Sequence, residues 1–164
     1  MTDFSGLIGL LAGAHVEFII VGGAAATAHG SARLTLDLDI VYRRTQQNIR
    51  RLCEVLSPCQ PYLRGAPPGL PFRFDERTVL SGLNFTLTTS LGDLDLLGEI
   101  TAGGHFEDLV PHSIPPHLYG CDTLCLDLEQ LIKVKRATGR PKDLEAIAEL
   151  TAILEERKRK GPDE

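Results

Sequence analysis

The 164-residue sequence contains no apolar run of the length, about 18 residues, that a membrane-spanning helix needs. It also contains no cationic leader followed by an apolar stretch, which is the pattern of a secretory signal peptide. We therefore expect a soluble cytoplasmic protein without a membrane partner. The four cysteines form no CxxC pair, and in a cytoplasmic protein we expect them to be reduced and partly buried.

Positive charge is also in short supply. The chain has 17 Lys and Arg against 22 Asp and Glu, a formal net charge of -5 at pH 7, which argues against strong nonspecific binding to nucleic acid. The basic residues concentrate near the C-terminus, so the composition still allows a local basic surface. No GxxxxGK[ST], GxSxG or HExxH motif is present, so the P-loop, α/β-hydrolase and zincin types of active site are not indicated.

The length and a hydrophobic share of 43% fit a single globular domain. We predict an α+β domain over residues 1–164, in which a mixed β-sheet flanked by helices covers about 1–126, a helical segment covers about 127–158 and a tail covers 159–164. Predicted helices span 4–14, 24–29, 45–56, 127–138 and 141–158, and predicted strands span 16–21, 37–42, 84–97 with a turn at Leu91-Gly92, and 123–126. The Pro- and Gly-rich stretch 57–70 is predicted to be a surface loop, a connector rather than the border of a substrate cleft.

The stretch 18–42, FIIVGGAAATAHGSARLTLDLDIVY, is the most informative part of the chain. Asp37 and Asp39 occupy alternate positions of its second predicted strand, so their side chains point to the same face. Two close carboxylates repel each other, and a cation between them removes that cost. Because Mg²⁺ prefers oxygen ligands, it is the natural candidate for this position.

A glycine pair lies between the first strand of this stretch and a helix of small residues. Gly22 and Gly23 precede the predicted helix start at Ala24, where free N–H groups and the positive end of the helix dipole suit a phosphate. The loop after this helix brings Arg33 and Thr35 next to the two carboxylates. Together with the acid pair, this arrangement predicts a site for a metal ion and a triphosphate.

An apolar residue, Gly22 and Gly23, a thirteen-residue spacer and the segment 37–40, DLDI, form a pattern that resembles the signature of the nucleotidyltransferase superfamily. Many members have Ser at the position of Gly23, and Gly-Gly also occurs. The resemblance covers residues 16–150 and is closest to small bacterial nucleotidyltransferases related to the abortive-infection toxin family. It implies the DNA polymerase beta-like fold with additional C-terminal helices.

In this superfamily a third carboxylate on a neighbouring strand completes the metal site. The resemblance places that role on Asp95, in the predicted strand segment Leu94–Leu96. Asp93 is the competing candidate, since it lies two residues earlier on the same face. We prefer Asp95, because Asp93 follows Gly92 and is readily explained as a turn residue.

The segment 136–150, RATGRPKDLEAIAEL, resembles the C-terminal motif of the small nucleotidyltransferases, in which a Lys or Arg faces the triphosphate. Lys133 and Lys142 are the candidates for that role. A solvated charged face explains either residue equally well, and Lys142 followed by Asp143 also suits the start of a helix.

The resemblance implies transfer of a nucleoside monophosphate from an NTP, such as ATP, to a hydroxyl of an RNA end, a protein or a small molecule. Two Mg²⁺ or Mn²⁺ ions would be held by Asp37, Asp39 and Asp95, and Asp95 would also help to deprotonate the attacking hydroxyl. Gly22 and Gly23 would present backbone N–H groups to the phosphates. The expected setting is bacterial toxin–antitoxin or phage defence, with a cognate toxin or antitoxin as partner. The alternative is a catalytically inactive regulatory module that acts through a protein partner.

Overall fold

The computed structural model describes residues 1–161, which form an α+β fold around a mixed sheet. The helices are α1 Phe4–Gly13, α2 Gly22–Ala28, α3 Gln46–Leu56, α4 Glu76–Ser81, α5 Phe106–Leu109, α6 Leu128–Thr138 and α7 Asp143–Lys160. The strands are β1 Phe18–Val21, β2 Asp37–Tyr42, β3 Tyr62–Leu63, β4 Phe85–Thr89, β5 Gly92–Leu97, β6 Glu99–Ile100, β7 Gly104–His105, β8 Ser113–Ile114, β9 His117–Leu118, β10 Cys121–Asp122 and β11 Cys125–Leu126. The predicted α+β class is confirmed.

The main sheet has seven strands in the order β3-β4-β5-β2-β1-β11-β8. Strands β2 and β5 are parallel neighbours in its centre, and their register sets Asp37 opposite Asp93 and Asp39 opposite Asp95. Strand β1 is antiparallel to β2, and β4 is antiparallel to β5. Two acidic positions of one central strand are therefore matched by two acidic positions of the next.

Alternation along these two strands separates a core face from an acidic face. Leu38, Ile40, Leu94 and Leu96 each have 0% of their surface exposed, and they join a hydrophobic cluster that includes apolar residues of α1 and α3. Side chains of a strand point alternately to its two faces, so the acids between these residues lie on the opposite face. Burial of the apolar set fixes the register and thereby the position of the carboxylates.

Local capping signals place several helix ends where the sequence predicts them. The Thr45 side chain accepts a hydrogen bond from the Asn48 N–H at the start of α3, and Asp127 accepts one from Gln130 at the start of α6. Gly139 ends α6 in a left-handed conformation, with φ of 64°. The start of α1 is capped by Asp3, which accepts a hydrogen bond from the Gly6 N–H.

Two helices have different bounds from those predicted. Helix α2 begins at Gly22, two residues before the predicted start, so both glycines belong to its first turn. Helix α7 begins at Asp143 and continues to Lys160, so residues 159 and 160 are helical rather than part of a tail. The remainder of the predicted tail, residues 162–164, lies outside the described residues.

The segment 57–70 is more ordered than a connector, and the prediction for it was wrong in that respect. Residues 57–59 form one turn of 3-10 helix, and β3 pairs antiparallel with β4 at the edge of the main sheet. The residue after β3, Arg64, continues the contact, because its N–H donates to the carbonyl of Thr86 at 3.0 Å. A further helix, α4, follows this segment and was not predicted.

The four cysteines are unpaired, and Cys53, Cys59 and Cys125 are buried. Burial raises the pKa of the Cys53 thiol to about 11 and that of Cys125 to about 12, so both remain protonated thiols near neutral pH. Within residues 1–161, no helix has the length and apolar character required to cross a bilayer.

Candidate active site

Three carboxylates converge on the acidic face of the sheet. Asp37 and Asp39 come from β2 and Asp95 comes from β5, and one carboxylate oxygen from each lies within 4.8 Å of the other two. Within residues 1–161, this is the one group of three Asp, Glu, His or Cys side chains with such a spacing. The structure thus brings together the three side chains that the sequence proposed as metal ligands.

Asp93 lies on the same face but outside this group of three. It belongs to β5 and pairs in register with Asp37, so its interpretation as a turn residue was wrong. The Asp93 N–H donates to the hydroxyl of Thr2 at 3.0 Å, which fixes the start of the strand. The register sets Asp93 opposite Asp37 and Asp95 opposite Asp39, and it is Asp95 whose carboxylate lies within 4.8 Å of both Asp37 and Asp39.

The convergence is electrostatically unfavourable without a cation. Burial raises the pKa of Asp39 to about 8, and the charges of Asp37 and Asp95 add to the increase, while the nearby Arg64 opposes it. The pKa of Asp37 is raised as well, first by burial and then by Asp95. The Oδ1 atom of Asp39 is buried and has no hydrogen-bond partner among residues 1–161. A hard divalent cation such as Mg²⁺ prefers oxygen ligands. Three crowded carboxylates, one of them with a buried oxygen that lacks a partner, supply such ligands.

The raised pKa of Asp39 predicts that the metal-free protein loses stability as the pH rises. A carboxyl with an ordinary pKa of 3.8 and a folded-state pKa of about 8 stabilises the fold fully below pH 3.8, and this contribution is lost as the pH rises through about 8. We expect a loss on the order of a few kcal/mol from this group. Urea unfolding in EDTA across this pH range measures it, and Asp39→Asn supplies the control. A difference between wild type and variant that does not change with pH would contradict the prediction.

A guanidinium that the sequence analysis did not identify lies against the acids. Arg64 Nη2 is 2.8 Å from Asp95 Oδ1, Nη1 is 3.5 Å from Asp37 Oδ2, and Nε is 3.5 Å from Asp93 Oδ1. The Nη2 group donates its hydrogen bond to the carbonyl of Leu87 at 2.7 Å. Asp95 Oδ1 and Arg64 Nε have no hydrogen-bond partner, so the short contact between Arg64 and Asp95 is an ion pair without hydrogen-bond alignment.

The glycine pair is required by close approach of neighbouring side chains. Gly22 has a φ of 63°, and a Cβ atom built on it would lie 2.2 Å from Asp39 Oδ2. A Cβ atom on Gly23 would lie 2.6 Å from Thr35 Oγ1. The Thr35 hydroxyl itself donates to the carbonyl of Asp37 at 3.2 Å. The glycines therefore allow α2 to start directly against the strand and loop that carry the acids.

Two small cavities lie on either side of Lys135. One, of about 180 Å³, is lined by Gly23, Thr35, the cations Arg33 and Lys142, the acids Asp143 and Glu149, and several apolar side chains. The other, of about 260 Å³, is lined by Gly22, Asp39, Asn84, Glu99 and several apolar side chains. Lys135 lines both cavities. The side chain of Lys135 therefore borders both the cavity of about 180 Å³ and the cavity that Asp39 lines.

The predicted basic residues are not all directed toward this region. Lys133 is exposed, whereas Lys135 on the same helix is half-buried and lines the cavities. Lys142 is the residue before α7, which agrees with its prediction as a helix-start residue. Arg33 pairs with Glu145 at 3.2 Å rather than with the acids of the sheet. Larger cavities exist elsewhere, one of about 800 Å³ along α7 and one of about 630 Å³ beside α1 and α2.

Two solved structures share this architecture. The aminoglycoside nucleotidyltransferase ANT(2″)-Ia, in complex with adenylyl-2″-tobramycin, superposes with a TM-score of 0.57 at 15% identity over 92% of this chain and 88% of that chain. A candidate nucleotidyltransferase from Thermotoga maritima superposes with a TM-score of 0.54 at 16% identity over 96% of this chain and 97% of that chain. The protein has a nucleotidyltransferase fold.

The identities with these nucleotidyltransferase structures are low, so the likeness concerns the fold. No family model and no curated protein matches the sequence. The predicted nucleotidyltransferase fold is confirmed. The predicted closeness to the abortive-infection toxin family stays a prediction.

Proposed function

We propose that this nucleotidyltransferase-fold protein transfers a nucleoside monophosphate from an NTP to a hydroxyl acceptor. The observation that carries the proposal is the convergence of Asp37, Asp39 and Asp95, with oxygens within 4.8 Å of one another. The unpartnered Asp39 Oδ1 supports it, because a buried carboxylate oxygen without a partner carries a desolvation cost that a bound cation removes.

Asp37, Asp39 and Asp95 would hold Mg²⁺ or Mn²⁺, one or two ions in number. When bound, the metal supplies Lewis-acid stabilisation of the charge on the phosphate oxygens. In the reaction a bond forms between the acceptor oxygen and the α-phosphorus, and the bond to the pyrophosphate oxygen breaks. Asp95, which lies opposite Asp39 on the neighbouring strand, would accept the proton of the attacking hydroxyl.

The cavity between Gly23 and Lys142 is the proposed position of the β- and γ-phosphates. Its lining includes three cations, Arg33, Lys135 and Lys142, and two acids, Asp143 and Glu149, around a volume of about 180 Å³. The backbone N–H groups of Gly22 and Gly23 lie in the first turn of α2, where N–H groups have no partner within the helix. They would donate to phosphate oxygens, as proposed from the sequence.

Lys135 is expected to contribute more to NTP binding than Lys133. Lys135→Met removes the cation that lines both cavities, and we expect the KM for NTP to rise at least about tenfold, the effect of losing one charge-assisted hydrogen bond. Lys133→Met changes an exposed side chain on the same helix and is the matched control. Steady-state kinetics with varied NTP measure both. A larger effect from Lys133 would reassign the triphosphate contact.

The acceptor stays open among an RNA end, a protein and a small molecule. The neighbour ANT(2″)-Ia was solved with an adenylylated aminoglycoside, which makes a small-molecule hydroxyl one candidate acceptor for this chain. The cavity of about 260 Å³ in front of Asp39 has the size for a small acceptor or a nucleoside, and Glu99 adds an acidic wall. A bacterial toxin–antitoxin setting, with a cognate protein partner, remains part of the proposal.

A specific observation favours the alternative function, an inactive module that acts through a protein partner. Arg64 already lies against two of the three proposed ligand residues, Asp37 and Asp95. A protein that had lost its metal would need such an internal cation to keep the carboxylates together. The contacts of Arg64 therefore favour loss of catalytic activity, and measurement of nucleotidyl transfer decides between the two functions.

The test is transfer of label from each NTP, labelled at the α-phosphate, to total RNA, cell protein and a panel of small hydroxyl compounds with Mg²⁺. The control is the double variant Asp37→Asn/Asp39→Asn, which keeps the side-chain shape and removes two charges. Label transferred by the wild type alone establishes the enzyme and identifies its nucleotide and acceptor class. Equal inactivity of both proteins, with no Mg²⁺-dependent NTP binding by calorimetry, favours the partner module.

A further inference from the structure

Arg64 lies where it must interact with any cation that enters the acid site. We propose that Arg64 is a built-in counterion that competes with the divalent metal, so that metal binding displaces its guanidinium from Asp95. This inference rests on the proposed metal site, and it adds a residue that sets the metal concentration at which that site fills.

The contacts of Arg64 cover two of the three proposed ligand residues. Its Nη2 is 2.8 Å from Asp95 Oδ1 and its Nη1 is 3.5 Å from Asp37 Oδ2, while Asp39 Oδ1 is left without a partner. The ionic contact to Asp93 at 3.5 Å adds a third carboxylate to the same guanidinium. A guanidinium and a divalent cation held by the same carboxylates repel each other, and partial burial reduces the screening of that repulsion by water. The guanidinium and a divalent ion therefore compete for the same carboxylates.

The backbone of Arg64 is fixed, whereas its side chain is free to leave the acids. The main chain is held by the pairing of β3 with β4 and by the bond from the Arg64 N–H to the Thr86 carbonyl. The side chain is 26% exposed, so water can replace the contacts of Nη2, which lies against Asp95 and also donates to the Leu87 carbonyl. Displacement thus requires a change of rotamer and leaves the sheet intact.

The same contacts give Arg64 a role in the metal-free protein. Four acids, Asp37, Asp39, Asp93 and Asp95, share one face of two neighbouring strands, and Arg64 is the cation that contacts three of them. Its charge offsets their mutual repulsion before a metal arrives. Loss of Arg64 should therefore weaken the metal-free fold and strengthen metal binding, which are two effects of opposite sign.

The first experiment measures Mn²⁺ affinity of the full chain, without nucleotide, by calorimetry and by electron paramagnetic resonance of free Mn²⁺. We expect Arg64→Met to tighten Mn²⁺ binding at least about tenfold. Arg73→Met, an exposed arginine in the same segment, is the matched control and should stay within about twofold of wild type. In EDTA, Arg64→Met should melt at a lower temperature than wild type, and saturating Mn²⁺ should narrow or reverse that difference.

A second measurement uses the wild type alone and does not depend on the folding of a variant. Phenylglyoxal modifies accessible guanidinium groups, and peptide mass spectrometry reports the extent at each arginine. Displacement by Mn²⁺ should increase modification of Arg64 several-fold and leave Arg73 unchanged. At Mn²⁺ concentrations at which calorimetry shows that the wild type has bound the metal, protection of Arg64, or no change, would overturn the competition.

The outcomes separate this inference from the proposed function. If wild type binds Mn²⁺ and Arg64→Met binds it equally or more weakly, Arg64 is not a competitor, and the metal site itself still stands. If only Arg64→Met binds Mn²⁺, the competition is strong enough to keep the wild-type site closed, and the inference is supported. If neither protein binds Mn²⁺, the proposed metal site is wrong and the inference falls with it.

Discussion

Asp39→Asn is expected to lower the rate of nucleotidyl transfer at least about 1,000-fold and, at the same time, to raise the stability of the metal-free protein. The activity is lost because the substitution removes the central carboxylate of the convergent set. The stability rises because Asn carries no charge into a position where the pKa of Asp39 is raised to about 8. Opposite effects on activity and on stability are expected of a residue that destabilises the metal-free fold and binds a ligand that removes this destabilisation.

The measurements for Asp39→Asn are kcat/KM for NTP with Mg²⁺ and the free energy of unfolding in EDTA at about pH 8. Asp93→Asn is the matched control, since Asp93 lies on the same face of β5 and outside the convergent set. We expect the control to retain transfer within about tenfold of wild type. Retained activity in Asp39→Asn would contradict the proposed site. Lower stability of this variant at high pH would contradict the account of carboxylate repulsion.

The acid pair on β2 was accessible from the sequence because its cause is local. Alternation of Asp37, Leu38, Asp39 and Ile40 assigns the two acids to one face of a strand, and the burial of both apolar residues confirms that assignment. The caps at Thr45 and Asp127 were equally local, since each needs one side chain and an N–H three residues later. Signals of this kind depend on spacing along the chain and not on its path.

The position of Asp95 required a pairing that spacing alone does not determine. Strands β2 and β5 are separated in sequence by α3, β3, α4 and β4, and their parallel register is set by burial of Leu94 and Leu96 against the same core. The sequence favoured Asp95 through a family resemblance, and its reason for setting Asp93 aside was wrong. Both acids of β5 lie opposite an acid of β2, and Asp95 is the one whose carboxylate converges with those of Asp37 and Asp39.

Arg64 could not be found from sequence patterns. It follows a two-residue strand in a segment rich in Pro and Gly, and a strand of that length produces no measurable alternation. Its contacts with Asp37 and Asp95 span about 30 residues of chain in each direction and depend on the pairing of β3 with β4. Arg64 follows the edge strand β3 and reaches past β4 to the acids of β5 and β2, a tertiary feature that depends on the strand order.

The choice between two lysines of α6 depends on helix phase. Successive residues of an α-helix are about 100° apart, so Lys133 and Lys135 face directions about 160° apart. Leu131 lies one turn before Lys135 and lines the same cavity, which identifies the face of α6 that is directed to the site. The sequence proposed Lys133 from a family motif in which a Lys or Arg faces the triphosphate, and that motif does not identify the inner face of the helix.

Gly22→Ala is expected to lower nucleotidyl transfer at least about 100-fold and to destabilise the fold by more than an ordinary substitution at positive φ. The new methyl group would lie 2.2 Å from Asp39 Oδ2, so either the carboxylate or the start of α2 must move. A displaced carboxylate no longer converges with Asp37 and Asp95, and a metal site depends on that convergence. Transfer kinetics and urea unfolding measure the two effects.

Gly139→Ala separates the clash at Gly22 from backbone strain. Gly139 has a φ of 64°, against 63° for Gly22, and a methyl group there would meet no atom within 4 Å. Both variants therefore carry the cost of a left-handed alanine, about 1 kcal/mol, and only Gly22→Ala adds the contact with Asp39. In an Asp39→Ala background the loss of stability caused by Gly22→Ala should approach that caused by Gly139→Ala. The reason is that Oδ2 is absent there and the nearest remaining contact of the new methyl group is Asp39 Cβ at 3.1 Å. Equal losses of stability in Gly22→Ala and Gly139→Ala would show that positive φ alone explains the glycine at position 22. The close approach of Asp39 to Gly22 would then make no contribution.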